Sequence, residues 1–112
     1  MHKLLIPLLA AITFPTIVNA ELTKDYFLKF SQAKMLLNQG NFSKAEKICD
    51  EMIETSPEGK WGYLCKGSSI VLSGKRKKRE ALKNFTKAIE LDPEFYEVYF
   101  LRGALQLSLI HI

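Results

Sequence analysis

Few side chains in this sequence are of the kind that make or break bonds. Histidine, the usual general base near neutral pH, occurs only as His2 and His111. The cysteines, Cys49 and Cys65, have no histidine nearby in sequence and form no CxxC pair. Carboxylates do come in pairs, Glu51 with Glu54 and Glu94 with Glu97. Each pair has helical spacing, as acid–base partners would, but the pattern equally describes a wetted helix surface, which is the reading adopted. Gly59, Gly62 and Gly67 are scattered in and before a helix and do not make a phosphate-cradling loop. No enzyme activity, cofactor or metal is therefore expected. The chemistry left to the chain is recognition.

The elements that would carry recognition are helices. Phe27, Phe30, Ala33, Leu36 and Leu37 recur at three- and four-residue steps, predicting a helix from about Thr23 to Asn38 that Gly40-Asn41 stops. Ser43, with Glu46 three residues on, has the capping-box pattern and is expected to open a second helix. Its buried stripe would be Ala45, Ile48, Cys49, Met52 and Ile53, and Ser56-Pro57 would end it and cap the next. A third helix is expected from about Lys60 to Leu72, with Trp61, Leu64, Ile70 and Val71 as its large apolar residues. Gly67 sits inside it; an interior glycine costs about 1 kcal/mol against alanine and marks close helix packing. A fourth helix, ending near Leu91, carries Ala81, Leu82, Phe85, Ala88 and Ile89. A fifth, from near Glu94, carries Tyr96, Tyr99, Phe100, Gly103 and Ala104. None is long enough to stand alone in water, so short loops should pack neighbours antiparallel.

The first 20 residues have a different character. Met1-His2-Lys3 is positive, Leu4 to Val18 is almost wholly apolar, and Val18-Asn19-Ala20 ends the run with small residues. This is the layout of a secretory signal peptide cleaved after Ala20. The alternative is a membrane anchor, but Leu4–Ala20 is shorter than the roughly 20 residues that usually span, and Pro7 and Pro15 interrupt it. Of the 16 basic residues only Lys3 lies in this segment, which leaves 15 against 12 acidic. So mild a balance says little about partners. Export would place Cys49 and Cys65 where pairing is allowed. Their spacing puts them on neighbouring helices, which permits a disulfide without implying one; each is also readable as a small buried apolar residue.

A phrase repeats along the chain. Gly40, Phe42, Ala45 and Pro57 are echoed by Gly74, Ala81, Phe85, Ala88 and Pro93 at a spacing of about 34 residues. The pattern resembles the tetratricopeptide repeat. Tyr63, Gly67, Gly74, Ala81, Phe85, Ala88 and Pro93 match its unit well. A looser first unit has Ala33, Gly40, Phe42, Ala45 and Pro57, with Cys49 and Met52 for the usual aromatic and alanine and Lys29 in place of the opening aromatic. Tyr99 and Gly103 begin a third. The expected organisation is a signal peptide over 1–20 and a repeat domain over 21–106, with units 26–59, 60–95 and a partial 96–106. The resemblance implies an all-α fold, antiparallel helix–turn–helix repeats stacked as a short α-solenoid. The second unit holds two extra residues, within the basic run Lys75-Arg76-Lys77-Lys78-Arg79. That run reads as a solvated turn, or as a patch for an acidic or phosphate-bearing partner; export contradicts a nuclear address. Leu107–Ile112 reads as a non-native tail encoded by a sequencing adapter, with the natural protein continuing beyond Gln106.

By resemblance, the first helices of the units would line a concave groove: Phe27, Phe30, Lys34, Leu37 and Asn38, then Trp61, Leu64, Ser68, Val71 and Leu72, then Glu97, Phe100 and Ala104. Some members of that family clamp a C-terminal carboxylate with lysines, asparagines and an arginine. Phe30, Cys65, Glu97 and Leu101 stand at most of those places here, which argues against such a partner. An apolar groove suits an amphipathic helix or an extended hydrophobic segment, unless further helices of the protein cover it. The leading expectation is an exported, non-enzymatic interaction module, periplasmic or extracellular. It would scaffold or dock another protein or peptide segment, with no nucleic-acid partner and a membrane only if the leader is retained. The alternatives are a targeting or regulatory segment of a larger protein with a catalytic domain elsewhere, and a structural envelope component.

Overall fold

A computed structural model describes residues 22–74 and 77–110. The expected leader, Lys75-Arg76 of the basic run, and His111-Ile112 lie outside the described residues. Within them the chain forms five helices: α1 Lys24–Asn38, α2 Phe42–Thr55, α3 Lys60–Leu72, α4 Lys78–Leu91 and α5 Tyr96–Ile110. Each packs on its neighbour, and α1 also packs on α3. The architecture is all-α: antiparallel helix–turn–helix pairs, α1 with α2 and α3 with α4, stacked as a short solenoid that α5 extends.

The sharp turns follow from local chemistry. Gly40 and Gly74 have φ of 76° and 70°, the left-handed region that glycine enters without a side-chain clash. At the end of α1 the Gly40 N–H donates to the Leu37 carbonyl at 3.1 Å and the Asn41 N–H to the Leu36 carbonyl at 2.8 Å, a Schellman closure. That closure moves the start of α2 forward to Phe42. The capping box expected at Ser43 and Glu46 is not formed, because Ser43 already lies inside the helix; Asn41 holds the cap position and makes no side-chain cap bond. Thr23 does cap α1, its hydroxyl accepting the Tyr26 N–H at 3.2 Å.

Pro57 and Pro93 also lie one step off their expected places. They sit inside turns rather than in the first turn of α3 and α5. The Gly59 N–H donates back to the Ser56 carbonyl at 2.9 Å, and the Phe95 N–H to the Asp92 carbonyl at 3.1 Å. Gly59 then holds the cap position of α3 with no side chain to offer.

Two clusters make the core. One gathers Tyr26, Ala33, Cys49, Met52 and Cys65 between α1, α2 and α3. The other joins α3 and α4 to Phe95 and α5 through Leu64, Ile70, Ala81, Phe85, Ala88, Ile89, Val98 and Leu105. Phe30 and Trp61 pack against both. Full burial of one such aromatic contributes about 1.5–3 kcal/mol before ordering costs. The expected close packing at Gly67 is present: a Cβ there would lie 2.5 Å from Phe85 Cε1.

The junction of the two units is also tied covalently. Cys49 on α2 and Cys65 on α3 form a disulfide across a Cα separation of 5.5 Å, which decides between the two readings left open by their spacing. Beside it Ser69 is fully buried; its hydroxyl donates to the Cys65 carbonyl at 2.8 Å and lies 3.5 Å from Cys49 Sγ. Lys66 spans the same junction, 2.5 Å from Asp50 on α2 and 3.8 Å from Glu80 on α4. Burial alone would lower the Lys66 pKa. The Asp50 hydrogen bond and the charges of Asp50, Glu80 and Glu46 outweigh it and raise the pKa.

Candidate partner-binding groove

Along α3 the structure opens two adjoining recesses. The first, of about 440 Å3, takes Phe30, Lys34 and Leu37 from α1, Trp61, Leu64, Cys65 and Ser68 from α3, and Glu97 and Leu101 from α5. The second, of about 360 Å3, shares Ser68 and Leu101 and continues along Val71 and Leu72 to Ala104, Leu105 and Ser108, with Lys78 at its edge. Three-residue and four-residue steps on α3 place Trp61, Leu64, Ser68, Val71 and Leu72 along one side of that helix.

The floor is held in place from below. The Trp61 ring lies 5.2 Å from Phe30 and 5.0 Å from Phe95 between centroids. Lys60 Nζ sits 5.3 Å above the Trp61 ring and 4.8 Å above Phe95. Lys60 is in turn held by an ion pair with Asp92, whose pKa the Lys60 hydrogen bond lowers and the Glu94 N–H lowers further. A tryptophan fixed on both sides offers a rigid apolar surface, and a partner has little ordering cost to meet there.

Of the residues expected to line a groove, Phe30, Lys34, Leu37, Trp61, Leu64, Ser68 and Glu97 meet in the first recess, and Ser68, Val71, Leu72 and Ala104 in the second. Phe27, Asn38 and Phe100 line neither. Phe27 packs edge-on against Tyr26, with centroids 5.3 Å apart, and Asn38 is exposed at the end of α1. Phe100 is 79% exposed, because Leu101, a full turn beyond Glu97, is the residue facing the recess and Phe100 lies about 100° round the helix from it. Leu101, placed by the resemblance only at a clamp position, is thus a lining residue, and its four-residue spacing from Glu97 is the sequence signal for it.

The groups with other chemistry stay apart. Glu51 lies 3.9 Å from Lys29, while Glu54, Glu94 and Glu97 are exposed. Among the described residues no three histidine, cysteine or acidic side chains are grouped to hold a metal ion. No described helix is long and apolar enough to cross a membrane. Of the basic run, Lys77 and Arg79 are exposed, and Lys78 donates to Ser108 at 2.5 Å. Neither a family model nor a curated protein matches the chain.

Proposed function

We propose that the chain is an exported, non-enzymatic interaction module of the tetratricopeptide kind that docks a segment of another protein in the groove along α3. The observation that carries this reading is Trp61: half-buried, braced by Phe30 and Phe95, and forming the floor where α1, α3 and α5 meet. A fixed aromatic in a concave apolar setting is the usual anchor of a binding surface. The Cys49–Cys65 disulfide supports placement in an oxidising compartment, where such bonds persist, in keeping with a cleaved leader over 1–20.

The test is capture from the native envelope or medium by crosslinking, followed by affinity measurement with the partner obtained. Trp61→Ala should weaken binding by about 2 kcal/mol or more, roughly thirtyfold, and Lys77→Ala should leave it nearly unchanged. Equal losses from the two changes, with helicity intact in both, would sink the groove reading.

A further inference from the structure

The first recess is apolar in its floor and charged at its two lips. Lys34 reaches it from α1 and Glu97 from α5, with α3 between them. Both side chains are exposed, and among the described residues neither has an ion-pair partner. Lys29, Lys60, Lys66 and Lys87 each face a carboxylate; of the described lysines that do not, Lys34 is the one that lines this recess. The Lys34 ammonium instead lies 5.5 Å from the centre of the Phe30 ring, which keeps it at the edge of the recess.

Resting on the groove reading above, we infer that the occupant is an apolar peptide segment bracketed by one acidic and one basic residue, the acid over α1 at Lys34 and the base over α5 at Glu97. A segment entering the recess strips water from both lips. Opposite charges offset that loss, whereas a like charge at either lip is repelled. The two lips cancel in net charge, so the site does not favour a uniformly anionic surface such as a nucleic acid. Discrimination comes from the sign at each end, and a doubly acidic or doubly basic segment meets one repulsive lip.

The experiment selects a random peptide library, displayed on phage, against the full chain. Synthetic versions of an enriched sequence are then titrated, with fluorescence of Trp61, the single tryptophan, reading occupancy. Enriched peptides should carry an apolar core with an acid at one end and a base at the other. Replacing both charged residues by glutamine should weaken binding about fivefold at low salt, the effect of two half-exposed ion pairs. Lys34→Glu should turn the preference toward doubly basic peptides, and Glu97→Lys toward doubly acidic ones. Both positions are exposed, so the fold should survive either change. Charge-free peptides that bind as well and still move Trp61 emission would overturn the bracket while leaving the groove in place. Failure of any peptide to enrich, or to move Trp61, would overturn the groove reading and the bracket together.

Discussion

The phenol of Tyr26 caps a helix that starts far along the chain: its oxygen accepts the Gly62 N–H at 2.8 Å, across 36 residues of sequence. Gly62 is the third residue of α3, where a cap side chain normally takes the free amide. Gly59 has no such side chain, and a Cβ there would collide with the Tyr26 ring. One contact thus ends the first turn of α3 and fixes its distance from α1.

Tyr26→Phe should therefore destabilise the fold by about 1–3 kcal/mol by leaving a buried donor unpaired, read as a lower urea midpoint. It should also change the alkaline limb. Burial raises the Tyr26 pKa above the ordinary 10.0, the Gly62 and Trp61 backbone opposing this in part. The folded state then holds the proton more tightly than the unfolded one. That contribution is complete below pH 10.0 and declines as pH rises through the raised value. The variant should lose stability less steeply as pH rises above 10.0. Parallel alkaline limbs in the two proteins would remove the assignment.

Gly67 and Gly103 should respond oppositely to alanine. At Gly67 a Cβ would press on the fully buried Phe85 ring, which has nowhere to go. We expect a cost of about 1–3 kcal/mol from overpacking. At Gly103 nothing lies within 4 Å of the added carbon, and alanine should stabilise by up to about 1 kcal/mol through helix propensity alone. Thermal midpoints moving in the same direction would contradict the packing described.

The disulfide should stabilise by about 3 kcal/mol, the expectation for a loop of roughly 15 residues. Chains unfolded, reduced and refolded without oxidant should show a correspondingly lower denaturation midpoint. In a Cys49→Ala/Cys65→Ala chain, reductant should make no difference. An oxidised and a reduced wild type with superimposable curves would show that the bond contributes nothing.

Acid should release the brace under Trp61. The Asp92 pKa lies below the ordinary 3.8, lowered first by the Lys60 hydrogen bond. Its contribution is therefore present above 3.8 and is lost as pH falls through the depressed value. Asp92→Asn should melt below the wild type at neutral pH and low salt, and the gap should close on acidification. Added salt should narrow it too, since both partners are partly exposed. A gap that persists unchanged in acid would mean the ion pair is not its source.

Much of the fold is legible in local chemistry. Gly40 and Gly74 mark turns through a backbone requirement of their own, and Ala45, Cys49 and Met52, or Ala81, Phe85 and Ala88, form stripes whose period needs no partner to be seen. What was not legible depends on distant residues. The apolar stripe of α1 includes Phe27 and not Tyr26, yet it is Tyr26 that is buried, because Gly62, on another helix, presents an amide to its hydroxyl. Cys49 and Cys65 show a permissive spacing, but their meeting depends on how α2 lies on α3. At the groove, the resemblance points to Phe100 as well as Glu97 and Ala104, whereas the rotation of α5 about its axis turns Leu101 to the recess and Phe100 away from it.

Phe30 and Trp61 belong to both halves of the core as well as to the groove floor. The floor of the recess is therefore also the mortar between successive units. Any molecule seated on it grips the array at its seam, and by linkage the folded stack gains whatever that grip supplies. Loosening the seam from within must, by the same reciprocity, loosen the hold on the guest. In the docking role proposed for the groove, recognition and rigidity would be one property, expressed by the same two rings.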